Sequence, residues 1–234
     1  YAKELSNQSE LRERSRKLQS NYKAQVKSGK DTYNGTLKTI DTSQEQKKIE
    51  DESKTRIELE KEIASIRASS DSEEDKRRKI NDARRRAAEL NNHNTILRNI
   101  EAQKSKRLAF IELYKSSKTA AENKTHEEEL SRIDKEKTES LKAIDEEFYQ
   151  LEQNKGKLSA EEYNNIRREL EEKKNAIIET SKLAIEKENE VHNQEMGHLQ
   201  ARTKEASRNA ELRATKKNVA ENERYAKVTN KAKT

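Results

Sequence analysis

No proline interrupts the 234 residues of this chain and only four glycines occur, so few positions force a helix to end. Residues that favour helix, such as Ala, Glu, Lys, Arg, Gln and Leu, dominate. Hydrophobic residues make up 29% and charged residues 41%, which leaves too few apolar side chains for one thick core. Disordered chains share that poverty but are usually rich in proline. The sequence therefore predicts an all-α fold of elongated coiled coil or antiparallel helical hairpins, with no β-sheet.

Several classes of function are not expected from these residues. Cysteine is absent, which excludes disulfides, thiolate catalysis and cysteine zinc sites. No glycine-rich phosphate loop occurs, and two or three thin helices offer no concave site that excludes water. We therefore expect no enzyme activity, no catalytic residue, no cofactor and no small-molecule substrate. No apolar run approaches the ~18 residues of a membrane span, so none is expected.

The candidate metal ligands are His192, Glu195 and His198, which are spaced three residues apart. Glu195 and His198 form half of a carboxylate-bridged di-iron pattern. A complete site needs a second Glu-x-x-His, and the sequence has none. The prediction is that no metal binds and that these side chains, like the isolated His93 and His126, are solvated.

Four polar segments are candidate helix breaks. Residues 28–36 contain an Asn-Gly pair and predict a helix end and loop. The helix would restart near Asp41 or Ser43, with Ser43 and Gln46 as a capping box. Residues 68–74 are rich in Ser and Asp, which favour N-caps, and residues 116–119 form a weaker break.

The fourth break combines four signals. Gly156 predicts a helix C-cap in the left-handed conformation. Ser159 and Glu162 have the spacing of a capping box, and Leu158 and Tyr163 that of a hydrophobic staple. A helix–turn–helix hairpin is predicted here. The predicted domains are thus 1–40, an N-terminal helix and Gly-containing turn; 41–118, two coiled-coil helices with a turn near 69–72; 119–199, an antiparallel hairpin with its turn at 155–159; and 200–234, a basic, sparsely apolar C-terminal helix or tail.

Apolar residues on both sides of the hairpin turn recur at helical spacing. Reflection of the sequence about residue 157 pairs them across the two helices. The predicted packing pairs are Leu151 with Tyr163, Phe148 with Ile166, and Ile144 with Leu170.

Heptad seams are predicted elsewhere in the chain. One seam contains Ile49, Leu59, Ile63 and Ile66, and the seam after residue 200 thins to Ala206, Ala210, Ala214, Val219 and Tyr225. Two overlapping stripes on residues 96–114 predict contact with two neighbouring helices. The second stripe is Ile96, Ile100, Phe110 and Tyr114. The predicted node of this bundle is Leu97, Ile100, Leu108 and Ile111. No internal repeat of fixed length is recognised.

Positive charge is concentrated in two places. Residues 200–234 carry ten Lys or Arg against four Glu, and a basic run occupies residues 76–86. Such runs suit phosphate backbones, although a solvated face paired with acids such as Glu73 and Glu74 is the favoured interpretation. Few aromatic residues are interleaved, so any binding would be nonspecific. The candidate nucleic-acid contacts are Arg77, Arg78, Arg84, Arg85, Arg86, Lys216 and Lys217.

The segment from Gly156 to Tyr163, flanked by long Lys/Glu-rich helices, resembles helical-hairpin turns in tail tape measure proteins of long-tailed bacteriophages. The lack of Pro and Cys is similar as well. The resemblance implies a rod packed along the lumen of a tail tube, where helix length sets tail length at ~1.5 Å per residue. It also implies that the rod leaves ahead of the DNA on infection.

The expected function is that of a structural coiled-coil component of a large assembly, such as a phage tail tape measure, internal spacer or scaffold. Its expected partners are further copies of itself or other helical virion proteins, and its expected location is the virion interior or tail lumen. Two alternatives are kept: a module that contacts nucleic acid nonspecifically, and a cellular coiled-coil adaptor or tether, which would be cytoplasmic.

Overall fold

Three long α-helices, packed against one another, make up the computed structural model of the chain. They are α1 (Ala2–Ala68), α2 (Glu73–Gln153) and α3 (Ala160–Lys231). The structure describes the backbone of residues 2–231 and the side chains of residues 12–230. No strand occurs in residues 2–231, so the predicted all-α fold is confirmed. The last three residues of the predicted 200–234 segment lie outside the described residues.

Contacts divide the chain into two compact units, each built from all three helices. Unit 1 comprises Tyr1–Lys27 and Ser116–Ala201, and unit 2 comprises Ser28–Lys115 and Arg202–Thr234. Neither unit is one consecutive stretch of the chain, unlike the four predicted segments. The unit boundaries nevertheless fall near residues 28, 116 and 200, where the sequence changes in composition.

The turn between α1 and α2 lies at residues 69–72, as predicted. The backbone N–H of Asp75 donates a hydrogen bond to the Ser72 hydroxyl (3.2 Å), whose own O–H donates to the Asp75 carboxylate (2.6 Å). Glu73, Glu74 and Asp75 lie in the first turn of α2, where their negative charge suits the helix dipole. Short polar residues therefore end one helix and cap the next.

The predicted loop at residues 28–36 and the restart near Ser43 are wrong, because α1 runs through both. The hydroxyls of Thr36 and Thr39 donate to carbonyls one turn earlier, at 3.0 and 3.1 Å, so they do not compete with the helix. Tyr33 packs edge-on against Phe110, with ring centroids 6.3 Å apart. Helix packing on this side outweighs the cost of about 1 kcal/mol for a helical glycine.

The weaker break at residues 116–119 is also wrong, since α2 is continuous there. Ser117 and Ala121 are buried, and the Thr125 hydroxyl donates to the Ala121 carbonyl at 2.8 Å. Small side chains at these positions let the neighbouring helices approach closely. They therefore mark an interface and do not end the helix.

The hairpin turn between α2 and α3 is capped as predicted. The Glu162 N–H donates to the Ser159 hydroxyl (3.3 Å), and the Ser159 N–H donates to the Glu162 carboxylate (2.9 Å). The Ser159 N–H, and after it the Ser159 hydroxyl, which also donates to the Glu162 carboxylate (2.7 Å), lower the pKa of Glu162. Leu158 packs against a buried cluster of Leu151, Tyr163 and Leu170. The capping box and the staple thus fix where α3 begins.

Gly156 does not adopt the predicted left-handed conformation. No residue in the described chain has a positive φ. The chain instead leaves α2 through a 3-10 turn at Lys155–Lys157, where the Lys157 N–H donates to the Asn154 carbonyl at 2.9 Å. A 3-10 turn tightens the end of the helix while φ stays negative, so the glycine is not required for its backbone freedom.

Contacts across the hairpin indicate a register shifted from reflection about residue 157. Phe148 packs on the cluster of Leu151, Tyr163 and Leu170, and Ile166 is 37% exposed, so the pairing of Phe148 with Ile166 stays a prediction. Lys174 lies 2.8 Å from Asp145, where reflection about residue 157 would place Glu169. Side chains tilt toward the N-terminus of their own helix. A contact across an antiparallel hairpin therefore joins an α2 residue to an α3 residue farther from the turn than reflection predicts.

The buried stripe of α3 repeats every 11 residues, in steps of four, four and three. In unit 1 its buried or half-buried positions are Ile177, Ser181, Ile185, Glu188, His192, Met196 and Leu199. In unit 2 they are Thr203, Ser207, Ala210, Ala214, Asn218, Glu221 and Tyr225.

The same steps recur on α2. They give Glu122, His126, Leu130, Ile133, Lys137, Leu141 and Ile144 in unit 1, and Glu89, His93, Leu97, Ile100, Lys104, Leu108 and Ile111 in unit 2. This period of 3.67 residues per turn replaces the predicted heptads, whose period is 3.5. It explains why Val219 of α3, assigned to a heptad seam, is 51% exposed: the stripe passes through Asn218 instead. Ile49 of α1, assigned to another seam, is 67% exposed.

Gly35→Ala is expected to raise the free energy of unfolding by about 1 kcal/mol, because alanine has the higher helix propensity. An added Cβ would meet nothing within 4 Å. Urea unfolding followed by far-UV circular dichroism measures the change. A loss of stability would indicate that residues 28–36 form the loop predicted from sequence.

Leu151→Ala is expected to cost about 3 kcal/mol, because it opens a cavity in the buried hairpin cluster. Ile166→Ala, the matched control on the partly exposed side of the same hairpin, is expected to cost less than about 1 kcal/mol. Urea unfolding curves of both variants make the comparison. Equal losses would contradict the shifted register.

Candidate functional site

A layer of charged and aromatic side chains lies between α2 and α3 in unit 1. Glu122 and His126 are one helical turn apart on α2, and Glu188 and His192 are one turn apart on α3. Each histidine faces the glutamate of the other helix. His126 Nδ1 lies 3.1 Å from Glu188 Oε1, and His192 Nδ1 lies 3.6 Å from Glu122 Oε1. The two imidazole rings stack, with centroids 4.2 Å apart and planes at 16°.

Arg14 of α1 completes this layer. Its guanidinium donates to both oxygens of Glu188, at 3.3 Å from Nε and 3.2 Å from Nη2, and Nη2 also donates to Glu122. Only 12% of the Arg14 side chain is exposed. Burial alone would lower the pKa of Arg14, but the hydrogen bonds and charges of Glu188 and Glu122 raise it above its ordinary value. We call Arg14, Glu122, His126, Glu188 and His192 the double-histidine layer.

Polar contacts also join α1 to α2 beside this layer. Lys17 Nζ lies 2.7 Å from Glu129, and Asn21 donates to the Thr125 hydroxyl at 3.0 Å. Burial would raise the pKa of Glu129, but the hydrogen bonds from Lys17 and Arg132 outweigh it and lower that pKa. Charged and amide side chains are thus prominent in the attachment of α1 within unit 1.

Unit 2 contains a related layer, formed by Glu89, His93, Glu221, Arg224 and Tyr225. His93 stacks on Tyr225, with ring centroids 4.2 Å apart and planes at 14°, and His93 Nδ1 lies 2.9 Å from Glu221. Arg224 donates two hydrogen bonds of 2.8 Å to Glu221 and lies 3.6 Å from Glu89. Hydrogen bonds from Arg224 outweigh burial and, with His93, lower the pKa of Glu221 to about 2. We call this the histidine–tyrosine layer.

The two layers are one motif repeated at a spacing of 33 residues, or three 11-residue repeats. On α2, a shift of 33 residues places Glu89 and His93 at Glu122 and His126. On α3, the same shift places Glu188 and His192 at Glu221 and Tyr225. The flanking core residues obey the same shift: Leu97 and Leu130, Ile100 and Ile133, Leu108 and Leu141, Ile111 and Ile144. The expectation of no fixed repeat is therefore wrong. The signal was present as two Glu-x-x-x-His pairs at this spacing.

The three candidate metal ligands do not lie together in the structure. His192 belongs to the double-histidine layer, whereas Glu195 and His198 are exposed. Within residues 12–230, no group of three or more His, Asp or Glu side chains is arranged to hold a metal ion. The prediction that His93, His126 and His192 are simply solvated is wrong, because each faces a buried carboxylate.

The predicted node of the bundle lies in unit 2. Ile100 is buried, and Leu97, Leu108 and Ile111 are half-buried. From this part of α2, Arg98 reaches Asp51 of α1 at 2.7 Å, and Gln103 accepts a hydrogen bond from Lys217 of α3 at 3.3 Å. The helix contacts two neighbours, as its two stripes predict. Phe110 of the second stripe is 56% exposed.

The basic run on α2 divides into paired and unpaired cations. Lys76, Arg78, Lys79 and Arg86 form ion pairs with Glu73, Asp75, Asp71 and Glu62 respectively. Arg77, Arg84 and Arg85 are exposed and form no ion pair with the described side chains. Lys216 and Lys217 are also exposed on α3. Part of the run is thus neutralised, and three arginines remain open to a partner.

Glu221→Gln tests the histidine–tyrosine layer through its pH dependence. The pKa of Glu221 falls from 4.5 to about 2 on folding, so its ionised form stabilises the fold above pH 4.5. That stabilisation is lost as the pH falls from about 4.5 to about 2. At pH 7 the variant is expected to be less stable by about 2 kcal/mol, because Arg224 and His93 lose a charged partner.

Urea unfolding across a pH series is the measurement, with the exposed Glu223→Gln as control. The stability gap between wild type and Glu221→Gln should narrow below about pH 4.5, whereas Glu223→Gln should track wild type throughout. A gap that is constant down to pH 2 would show that the Glu221 carboxylate is not held in its charged form.

None of the described helices has a stretch apolar and long enough to cross a membrane. Comparison with known proteins finds no matching family model, no matching curated protein and no matching solved structure.

Proposed function

We propose that the chain is a structural component of a large assembly, with a mechanical role as a spacer or scaffold. A phage virion, with the chain as part of a tail tape measure, is the assembly that the hairpin resemblance favours. The observation that carries the proposal is the pair of charged layers buried between the helices. Such layers suit a protein whose task is to hold helices in one alignment.

Register is the property that these layers supply. Apolar side chains tolerate sliding by one repeat, because one Leu replaces another. In the double-histidine layer, a buried glutamate moved out of line with Arg14 of α1 and the histidine of the other helix would be left unpaired, which costs several kcal/mol. Layers of this kind specify the register of helical bundles. A helix bundle that resists sliding keeps a fixed length, as a spacer requires.

Exposed apolar residues support association with further helices. Leu212 and Val219 lie seven residues apart on one side of α3 in unit 2 and are 47% and 51% exposed. Residues at this spacing share a helix face and form the kind of stripe that packs against another helix. Further copies of the chain, or other helical proteins, are the partners proposed for this stripe.

Sedimentation velocity over a range of concentrations tests the proposal. We expect wild type to self-associate, and the double variant Leu212→Glu/Val219→Glu to dissociate with unchanged helix content. Lys216→Glu, an exposed change between the same two positions, serves as the charge control and should retain association. A wild type that is monomeric at every concentration, or a double variant that associates equally well, would contradict self-association through this stripe.

A second candidate function, nonspecific contact with nucleic acid, is favoured by Arg77, Arg84 and Arg85. Residues 77 and 84 are seven apart and share one face of α2, with residue 85 beside them. Each cation that contacts a phosphate releases counterions, so binding should weaken steeply with salt.

Fluorescence anisotropy with a random-sequence duplex at about 50 and about 200 mM salt measures this binding. The triple variant Arg77→Gln/Arg84→Gln/Arg85→Gln should lose affinity and have a shallower salt slope. Arg78→Gln, which removes an arginine already paired with Asp75, is the matched control. Equal effects of the two variants, or no binding by wild type, would exclude this surface.

A further inference from the structure

We propose that the double-histidine layer is an acid-operated contact that holds α1 against α2 and α3 in unit 1 and releases it when both histidines are protonated. The proposal concerns this layer alone and does not depend on the assembly to which the chain belongs. It follows from the charges that meet there and from the kinds of contact that hold each helix.

The charges around the two imidazoles come from all three helices. α1 contributes the Arg14 cation, α2 contributes the Glu122 carboxylate and α3 contributes the Glu188 carboxylate. The neighbouring Glu129 is paired with Lys17 and Arg132, whose further partners are the exposed Glu13 and Glu136, so among the described side chains this network forms no ion pair with the layer. With both imidazoles neutral, one cation therefore faces two carboxylates, and the layer carries one excess negative charge.

The first proton balances this layer. An imidazolium at His126 or His192 would lie beside the carboxylate that its Nδ1 already faces, at 3.1 or 3.6 Å. Arg14 and one imidazolium then match two carboxylates. Histidine is the side chain that gains such a proton in weakly acidic solution. Protonation to this extent is expected to preserve the contact with α1.

The second proton unbalances the layer. Two imidazolium rings would then stack at 4.2 Å with Arg14 beside the same carboxylates, giving three cations against two anions. Side chains of this layer are between 5% and 19% exposed, so water screens the repulsion only weakly. The repulsion is relieved when one cation leaves, and Arg14 can leave with α1.

The separation is expected at α1 because the other two helices have an additional connection. Within unit 1, α2 and α3 are joined covalently by the hairpin turn and share the apolar cluster of Leu151, Tyr163 and Leu170, whereas the turn that joins α1 to α2 lies in unit 2. The contacts of α1 in unit 1 are polar: ion pairs and hydrogen bonds through Arg14, Lys17 and Asn21, and a cation–π contact in which Lys118 of α2 lies 4.4 Å from the centroid of the Tyr22 ring. Loss of the ion pairs of Arg14 with Glu122 and Glu188 therefore weakens the attachment of α1 before that of α2 to α3.

The absence of cysteine allows a direct distance measurement. Nitroxide labels at Ser15→Cys on α1 and Ser131→Cys on α2, both exposed, report their separation by double electron–electron resonance. We expect one narrow distance at about pH 7.5 and a longer, broader distribution at about pH 5, where histidine is protonated. Far-UV circular dichroism should show that the helix content is retained, and return to neutral pH should restore the narrow distance.

Two single variants isolate the mechanism. His192→Gln in the labelled protein removes the second proton site, so its short distance should persist at about pH 5. His93→Gln, which changes the unit 2 layer, is the matched control and should respond to acid as wild type does. An unchanged wild-type distance at about pH 5, or an equal response in His192→Gln, would overturn the proposal.

Discussion

Charge buried between helices is the constraint on which the rest of this structure depends. Glu122, Glu188 and Glu221 are shielded from water, and each must meet a cation or a hydrogen-bond donor from another element or turn. Arg224 reaches Glu221 from within α3, whereas Arg14 and the histidines reach their glutamates from other helices and fit in one alignment of the helices. Stability for a chain so poor in large apolar residues therefore depends on register. A compact domain with a thick apolar core depends on it less, because apolar contacts can be exchanged for one another.

The helical class and two of the turns could be predicted from local chemistry. Ser72 and Ser159 each precede an acidic residue three positions later, and each caps the helix that follows. Gly35 and Ser117 misled the sequence reasoning, because the cost of such residues in a helix is small compared with packing on both sides. Gly156 misled it for a different reason: the chain had a second way to leave the helix, through a 3-10 turn, and used it.

The polar layers escaped prediction because a search for seams counts apolar side chains. Glu122 lies in the same buried stripe of α2 as Ile133, and Thr203 lies in the same buried stripe of α3 as Ala210. By hydrophobicity alone, Glu122 and Thr203 would be assigned to the surface. Contacts between helices far apart in sequence decide which glutamates are buried. Arg14 and Glu188 are 174 residues apart, and nothing local to either residue indicates the other. The repeated Glu-x-x-x-His pairs were the one trace of the layers that the sequence alone carried.

The 11-residue period also governs how a chain of this kind can change in length. Eleven residues complete slightly more than three turns of an α-helix, so an insertion of that size returns each side chain to nearly the same face. Made at matched points in neighbouring helices, it lengthens the bundle by about 16 Å and preserves its contacts. An insertion of one or two residues turns everything beyond it by about 100° or 200° and moves buried charges into water. Variants of such a protein that differ in size would then differ in bundle length by whole multiples of one 11-residue increment.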